Sequence, residues 1–278
     1  MNFLDFCRAH GVIIDAIPPL GRWVRLKTTD KPMHRNGAVK YMGTHGFVQN
    51  WGTMLEVNTW KSDSDSPIAH QEIQEIADKA QQEINKQNLQ AAERATWIVG
   101  QCRTRKHAYI ESKGFPDEVV NVLESDDGPV CVIPMRIGKN ITGCQLIQED
   151  GTKKFLFGQR SGGAQFIFDN GGQHIFCEGY ATGLSVRHAM KALKKPYTVH
   201  VCFSAGNLKK VTDRHSSGVV IADNDASLTG QRVAEEIGFP YFMSDKVGED
   251  FNDLHQRVGL FSASQRLMKV LNASREVA

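Results

Sequence analysis

Acidic side chains recur in this chain just beyond short apolar runs. Glu178 directly follows His174-Ile175-Phe176-Cys177 and is itself followed by Gly179. Asp223 and Asp225 close the β-branched run Gly218-Val219-Val220-Ile221-Ala222 as Asp223-Asn224-Asp225. Asp250 and Asp253 lie in Glu249-Asp250-Phe251-Asn252-Asp253, after the run from Pro240 to Ser244. Residues two apart in extended backbone point to the same side, so Asp223 and Asp225 can face one site.

Carboxylates held close together repel, which raises a pKa or calls for a cation. An all-oxygen donor set suits Mg²⁺ or Mn²⁺, hard ions held by a few carboxylates together with substrate phosphates. Such an ion screens phosphate charge, activates an attacking oxygen and stabilises a leaving group. A carboxylate left free of metal, with Glu178 the candidate, can move a proton as general acid or base. Each acid alone has a plainer reading, and Asp225 before Ala226-Ser227 has the form of a helix cap. Their recurrence after three apolar runs is far more specific than one Asp-x-Asp.

These groups need a parallel sheet to bring them together. After Gly171-Gly172 the pattern alternates: a strand at 174–177, a helix through Ala189 and Leu193, and a strand from Tyr197 to Phe203. A short helix follows from Asn207 to His215, then a strand at 218–222, a helix from Leu228 to Ile237, and a last strand from Pro240 to Ser244. Strand–helix–strand alternation implies parallel pairing with helical crossovers, and active groups beyond the carboxyl ends of the strands. Upstream, Val130 to Met135, Ile141 to Gln148 and Lys154 to Phe157 read as strands joined by glycine turns. A short helix from Ala108 is stopped at Gly114.

Residues Pro67 to Gln101 contain one glycine, at Gly100, and are rich in Ala, Gln, Glu and Lys, the composition of a long exposed helix. Ser62-Asp63-Ser64-Asp65-Ser66-Pro67 before it reads as a linker ending in a helix start. The first sixty residues carry Gly, Trp and basic side chains in short strand-like runs. Trp23, Trp51 and Trp60, interleaved with Arg22, Arg25 and Arg35, either stack nucleic-acid bases or form the small core of that module.

With 278 residues, of which 41% are hydrophobic, the chain can build one large or two modest cores. A net charge of +2 does not announce a nucleic-acid binder, so any such surface rests on local clusters such as Lys153-Lys154, Lys194-Lys195 and Lys209-Lys210. None of the six cysteines falls in a Cys-x-x-Cys pair or a zinc-ligand spacing with histidine. The expectation is therefore free thiols, no disulfides and no zinc, with His188 and His200 structural. No apolar run is long enough for a membrane span, the start lacks a secretory pattern, and a cytoplasmic protein without a membrane partner is expected.

The segment Ile175-Phe176-Cys177-Glu178-Gly179-Tyr180-Ala181-Thr182-Gly183 resembles the first motif of the Toprim superfamily, and Val220 to Asp225 resembles its Asp-x-Asp motif. The stretches Cys177–Thr182, Ala205–Leu208, Ala222–Asp225 and Asp250–Leu254 are similar to those of Toprim primases from phages and conjugative plasmids, relatives of the bacterial replicative primase core. Ile133–Arg136, Ile141–Gln148 and Asp150–Phe155 resemble the basic subdomain that precedes Toprim there, and Gly46–Trp51 resembles the leading segment of plasmid primases.

The resemblance implies an α/β fold: a Toprim-type parallel sheet flanked by helices, preceded by a small α+β basic subdomain and a small β-rich N-terminal module with a long linking helix. The implied boundaries are 1–62 for the zinc-free module, 63–106 for the linking helix, 107–170 for the basic subdomain, and 171–278 for the Toprim domain with a C-terminal helix.

It implies that Glu178, Asp223 and Asp225 are catalytic and hold Mg²⁺ or Mn²⁺, with Asp250 and Asp253 as further ligands, and that Arg136, Lys153 and Lys154 contact nucleotide or template. Arg160 is a further candidate for that contact, and Asn207, in Ser204-Ala205-Gly206-Asn207-Leu208, either lies at a helix start that binds phosphate or belongs to a plain strand-to-helix turn. The implied activity is synthesis of short RNA primers from ribonucleoside triphosphates on single-stranded DNA, in company with a separate helicase or replication protein. A single-strand-binding accessory protein and a Toprim nuclease are the alternatives. Thr182 departs from the pattern, since cellular primases carry an Asp there, and the P-loop and zinc ribbon have no counterpart in this sequence.

Overall fold

The computed structural model describes residues 1–54, 56–62 and 67–276, so residues 63–66 of the expected linker lie outside the described residues. The chain divides into two compact units, Met1–Lys86 and Gln87–Ala278, with the division inside one long helix.

The first unit opens with α1 (Phe3–Ala9), followed by β1 (Trp23–Leu26), β2 (Gly37–Tyr41), β3 (His45–Asn50) and β4 (Asn58–Lys61). The four strands pair in sequence order as an antiparallel sheet. Phe3 and Cys7 of α1 pack with Val39, Val48 and Trp60 to form its core. Of the three tryptophans only Trp60 takes the core role. Trp60 is buried and donates its indole N–H to the Met1 carbonyl at 2.7 Å, whereas Trp23 and Trp51 are exposed and Arg25 lies 4.0 Å over the Trp51 ring.

The long helix α2 (Pro67–Gln101) spans the range its composition predicts. Near its end Ala91, Ala95 and Ile98, spaced by four and three residues, are buried along one stripe. Ala95 and Ile98 pack on Val132, Cys144 and Leu156.

The second unit continues with β5 (Arg103–Arg105), α3 (Ala108–Ser112), β6 (Val120–Leu123), β7 (Val130–Ile137), β8 (Asn140–Ile147) and β9 (Lys153–Phe155). These strands form a second antiparallel sheet in sequence order. The last of them ends two residues before the expected Phe157, whose side chain is 87% exposed.

There follow β10 (Phe166–Asp169), β11 (Gln173–Cys177), α4 (Tyr180–Ala192), β12 (Tyr197–Val201) and α5 (Ala205–Thr212). Then come β13 (Val219–Ala222), α6 (Thr229–Ile237), β14 (Tyr241–Met243) and α7 (Phe251–Glu276), which bends at Gly259. The third sheet has the order β10-β12-β11-β13-β14; β11, β12, β13 and β14 pair in parallel, and β10 joins the edge antiparallel to β12. The sequence gives no sign of β10, and α5 begins and ends earlier than the expected 207–215.

Side-chain alternation sorts the two faces of this sheet. Ile175, Cys177, Val219 and Ile221 pack with Leu184, Met190, Leu254 and Leu267 of α4 and α7. Phe176, Val220 and Ala222 point the other way, against Leu208 and Val211 of α5 and Val233 and Ala234 of α6. Both faces are covered, which is why these strands read as continuous apolar runs. The first cluster also takes in Tyr109, Ile110, Cys131, Ile133 and Ile147, so one core joins the antiparallel and parallel sheets. All six cysteines are free thiols, and all but the half-buried Cys102 are buried. No helix among the described residues is long and apolar enough to cross a membrane.

Candidate active site

Two neighbouring parallel strands, β11 and β13, deliver the acids. Cys177 pairs with Ile221, so Glu178 and Asp223 emerge at nearly the same height beyond the carboxyl end of the sheet. The loops around them carry backbone strain: Phe203, whose N–H donates to the Glu178 carbonyl at 2.8 Å, has φ +69°, and Leu228 has φ +58°. Non-glycine residues with positive φ persist only where the surroundings over-determine them. Gly230 lets α6 close onto the strand end, because a Cβ there would lie 2.2 Å from the Asp223 carbonyl oxygen.

The three central carboxylates sit in different environments. Burial pushes Glu178 up to about 8, with Asp223 and Asp225 adding repulsion and the Ala205 N–H at the start of α5 opposing it. Burial also pushes Asp223 up to about 7, reinforced by Asp250, Asp225 and Asp253 and opposed by Lys153. One Asp223 oxygen, Oδ1, is buried with no hydrogen-bond partner.

Asp225 differs. Burial raises its pKa, but hydrogen bonds outweigh that and hold it below the usual carboxylate value. The donors are the Ser227 hydroxyl, the Ser227 N–H at 2.8 Å, and the Thr229 and Gly230 N–H groups, each at 3.3 Å. The N-cap position of α6 is Leu228, whose side chain makes no cap, and Asp225 supplies the missing acceptor from three residues before it.

Asp250 and Asp253 also serve a helix start. The Asp253 N–H donates to Asp250 Oδ1 at 2.9 Å and the Asp250 N–H to Asp253 Oδ2 at 3.2 Å, a reciprocal capping box on α7. Asp250 still lies close enough to be the foremost charge acting on Asp223.

A polar clamp fixes the intervening backbone. Asn224 exchanges backbone hydrogen bonds with the loop after β14, receiving the Gly248 N–H at 2.6 Å and donating to the Glu249 carbonyl at 3.1 Å. Its side chain donates to the Ser244 carbonyl at 2.9 Å. Arg257 grips Glu249 through Nε at 2.7 Å and Nη2 at 2.8 Å, and the Ser244 hydroxyl donates to the same carboxylate at 2.8 Å. These bonds hold Glu249 down at about 2. Glu249 and Arg257 position the acidic loop; the sequence names Glu249 only as part of an acidic run and does not reveal its partner.

The basic candidates are spread more widely. Lys153 lies 5.9 Å over the Tyr109 ring, and its charge acts on Asp223. Lys154 follows it on β9, and both side chains are exposed, as is Arg160. Arg136 donates to the Lys139 carbonyl at 3.0 Å across the β7–β8 turn. Asn207 is committed to backbone: it accepts from the Gly163 N–H at 2.5 Å and donates to the Ala164 and Cys202 carbonyls at 2.6 and 2.7 Å. Its side chain fastens the loop at 163–164 to the end of β12.

No protein-family model and no curated protein matches the chain. Among solved structures, a DNA primase domain from Pseudomonas aeruginosa is similar over 53% of this chain and 55% of its own, at 14% identity and a TM-score of 0.36. The chain thus spans about half the length of that domain's chain. Similarity at that level bears on neither substrate nor reaction.

The donor set is compatible with a divalent cation. Among the described residues, the carboxylates do not form a group of three whose ligand oxygens all lie within 4.8 Å of one another. Mg²⁺ is usually held that openly, by one or two carboxylates with waters and substrate phosphates, rather than in an all-protein cage. An unpartnered, buried Asp223 oxygen among acids that raise one another's pKa is where a cation offsets the most charge.

Proposed function

We propose that this chain is a primase-type nucleotidyltransferase that joins ribonucleotides into short primers on single-stranded DNA. The observation that carries this reading is the convergence of Glu178, Asp223 and Asp250 beyond the parallel strands, with one Asp223 oxygen buried and unpartnered and the Lys153 charge beside it. The motif resemblance supports the reaction class, and the placement of the acids beyond the strands supports their part in it.

Asp223 and Glu178, with Asp225, Asp250 and Asp253 around them, would hold Mg²⁺ or Mn²⁺; the last three each also lend an oxygen to a helix start. Bound there, the ion would screen the triphosphate and sharpen the attacking oxygen. Lys153 and Lys154, exposed on β9, would meet the phosphates of nucleotide or template, and Arg136 and Arg160 are further basic candidates. The 3′-hydroxyl oxygen of the growing strand attacks the α-phosphorus, the bond to the β-phosphate bridging oxygen breaks, and pyrophosphate leaves. A Glu178 carboxylate oxygen left off the ion would take the hydroxyl proton as general base.

The same acids would serve hydrolysis if water took the place of the 3′-hydroxyl. Labelled ribonucleotides and a mixed single-stranded template separate the two readings. Synthesis yields short products only when both are present, whereas a nuclease degrades the template without triphosphates. A binder lacking chemistry retains the template and gives neither product.

A further inference from the structure

Three imidazoles meet on the face of the parallel sheet covered by α5 and α6. His174 lies on β11, His200 on β12, and His215 just after α5. His174 and Phe176 are two apart on one strand, and His200 pairs in register with Phe176, so all three side chains share that face. The ring centroids are 5.1 Å apart for His174 and His200, 4.5 Å for His174 and His215, and 4.9 Å for His200 and His215. One nitrogen from each ring can be chosen so that all three lie within 4.8 Å of one another.

The hydrogen bonds orient these rings as ligands. The His200 Nδ1 lies 2.7 Å from Gln165 Oε1, an oxygen that only accepts, so Nδ1 carries the proton and Nε2 presents its lone pair. That lone pair faces His174 Nδ1 at 2.9 Å. A metal-bound histidine typically donates its other ring N–H to such a partner, which fixes tautomer and orientation. Phe176 stacks on the His200 ring at 4.6 Å and supports it from one side. His200 is buried and His174 and His215 are half-buried, so the group opens to solvent on the side of the latter two.

We propose that His174, His200 and His215 form a binding site for a borderline divalent transition-metal ion of the Zn²⁺ class. Neutral imidazole nitrogens select such ions over Mg²⁺, which prefers oxygen. The ion takes the place of the proton shared between His174 and His200, and His174 is then protonated at its outer nitrogen. Nitrogens around tetrahedral Zn²⁺ stand roughly 3.3 Å apart, so the rings close by small side-chain rotations. Burial keeps His200 neutral and ready to bind, holding it down at about 3.

This site is separate from the acidic one. Along β11, His174 stands about 13 Å of extended strand before Glu178, and His200, paired with Phe176, stands about 7 Å before it. It is independent of the proposed polymerase chemistry, and either reading can fail alone.

The test is titration of the metal-free chain with Co²⁺, following the visible bands of four-coordinate cobalt, then displacement by Zn²⁺. One ion per chain is expected, undisturbed by excess Mg²⁺ and by Asp223→Asn. The bands should vanish in His215→Ala and His174→Ala, and binding should weaken by about tenfold or more in Gln165→Ala. His200→Ala removes a buried ring and is read only if its far-ultraviolet circular dichroism matches wild type; His215→Ala, at a half-exposed loop position, carries the test in either case. The proposal is overturned if no bands form, if they survive both His215→Ala and His174→Ala, or if Mg²⁺ or Asp223→Asn abolishes them.

Discussion

Asp223 and Asp225 stand two residues apart at the end of one strand, yet one has a buried oxygen with no partner and the other is held by four donors at the start of α6. Their substitutions should therefore part company. Asp223→Asn is expected to abolish Mg²⁺ binding while keeping or raising stability, because it removes a desolvated charge. Asp225→Ala should cost about 1 kcal/mol of stability through loss of the cap. Urea unfolding of both variants, beside Mg²⁺ titration, measures the contrast; equal losses of stability would remove the distinction.

The raised carboxylates set a pH dependence. Glu178 at about 8 and Asp223 at about 7 lie above their ordinary values of 4.5 and 3.8, so between those limits the folded chain holds protons that the unfolded chain releases. Their contribution to stability is fully present at the acid end and is lost as pH rises through about 7 to 8. The melting midpoint of the metal-free chain should fall between about pH 6 and pH 8.5, and Mg²⁺ should raise it more at the alkaline end. The double variant Glu178→Gln, Asp223→Asn should flatten this slope. An unchanged slope in that variant would mean that other groups set it.

Gly230 is the contact through which α6 reaches the acidic strand end. A methyl group added there meets Asp223 backbone oxygen and nitrogen at 2.2 and 3.1 Å, neither of which can yield as a flexible side chain would. Gly230→Ala should cost about 1–3 kcal/mol by overpacking. It should also weaken Mg²⁺ binding without changing any charge. Calorimetry on this variant tests whether α6 positions Asp223.

Asn207 makes three hydrogen bonds to backbone groups of Gly163, Ala164 and Cys202. Asn207→Ala leaves all three without that partner and should lower stability by roughly 2–3 kcal/mol. A residue serving only to hold nucleotide would change triphosphate affinity and leave the denaturation midpoint where it was.

The parallel sheet was legible because β11, β12 and β13 are buried on both faces and so spell uninterrupted apolar runs. The edge strand β10 was not, since Phe166 to Asp169 is only half-buried and pairs with β12, some thirty residues away in sequence. The acids stood out by recurring after strands, but their secondary duties depended on loop geometry. The spacing of Asp250 and Asp253 matches a capping box as well as a pair of metal ligands, and the sequence alone does not separate the two. His174, His200 and His215 come from three elements, beyond the reach of any linear ligand spacing. The sequence marks Lys153 and Lys154 alike, and only folding shows the Lys153 charge acting on Asp223.

The central claim is tested most directly by primer synthesis on mixed single-stranded DNA with labelled ribonucleoside triphosphates and Mg²⁺ or Mn²⁺. Wild type should be compared with Glu178→Ala and Asp223→Ala. The expected result is short products that require metal, template and triphosphates together and that disappear in both variants. Absence of product across varied templates, with single-strand binding intact, would contradict the account and leave a binding protein in its place.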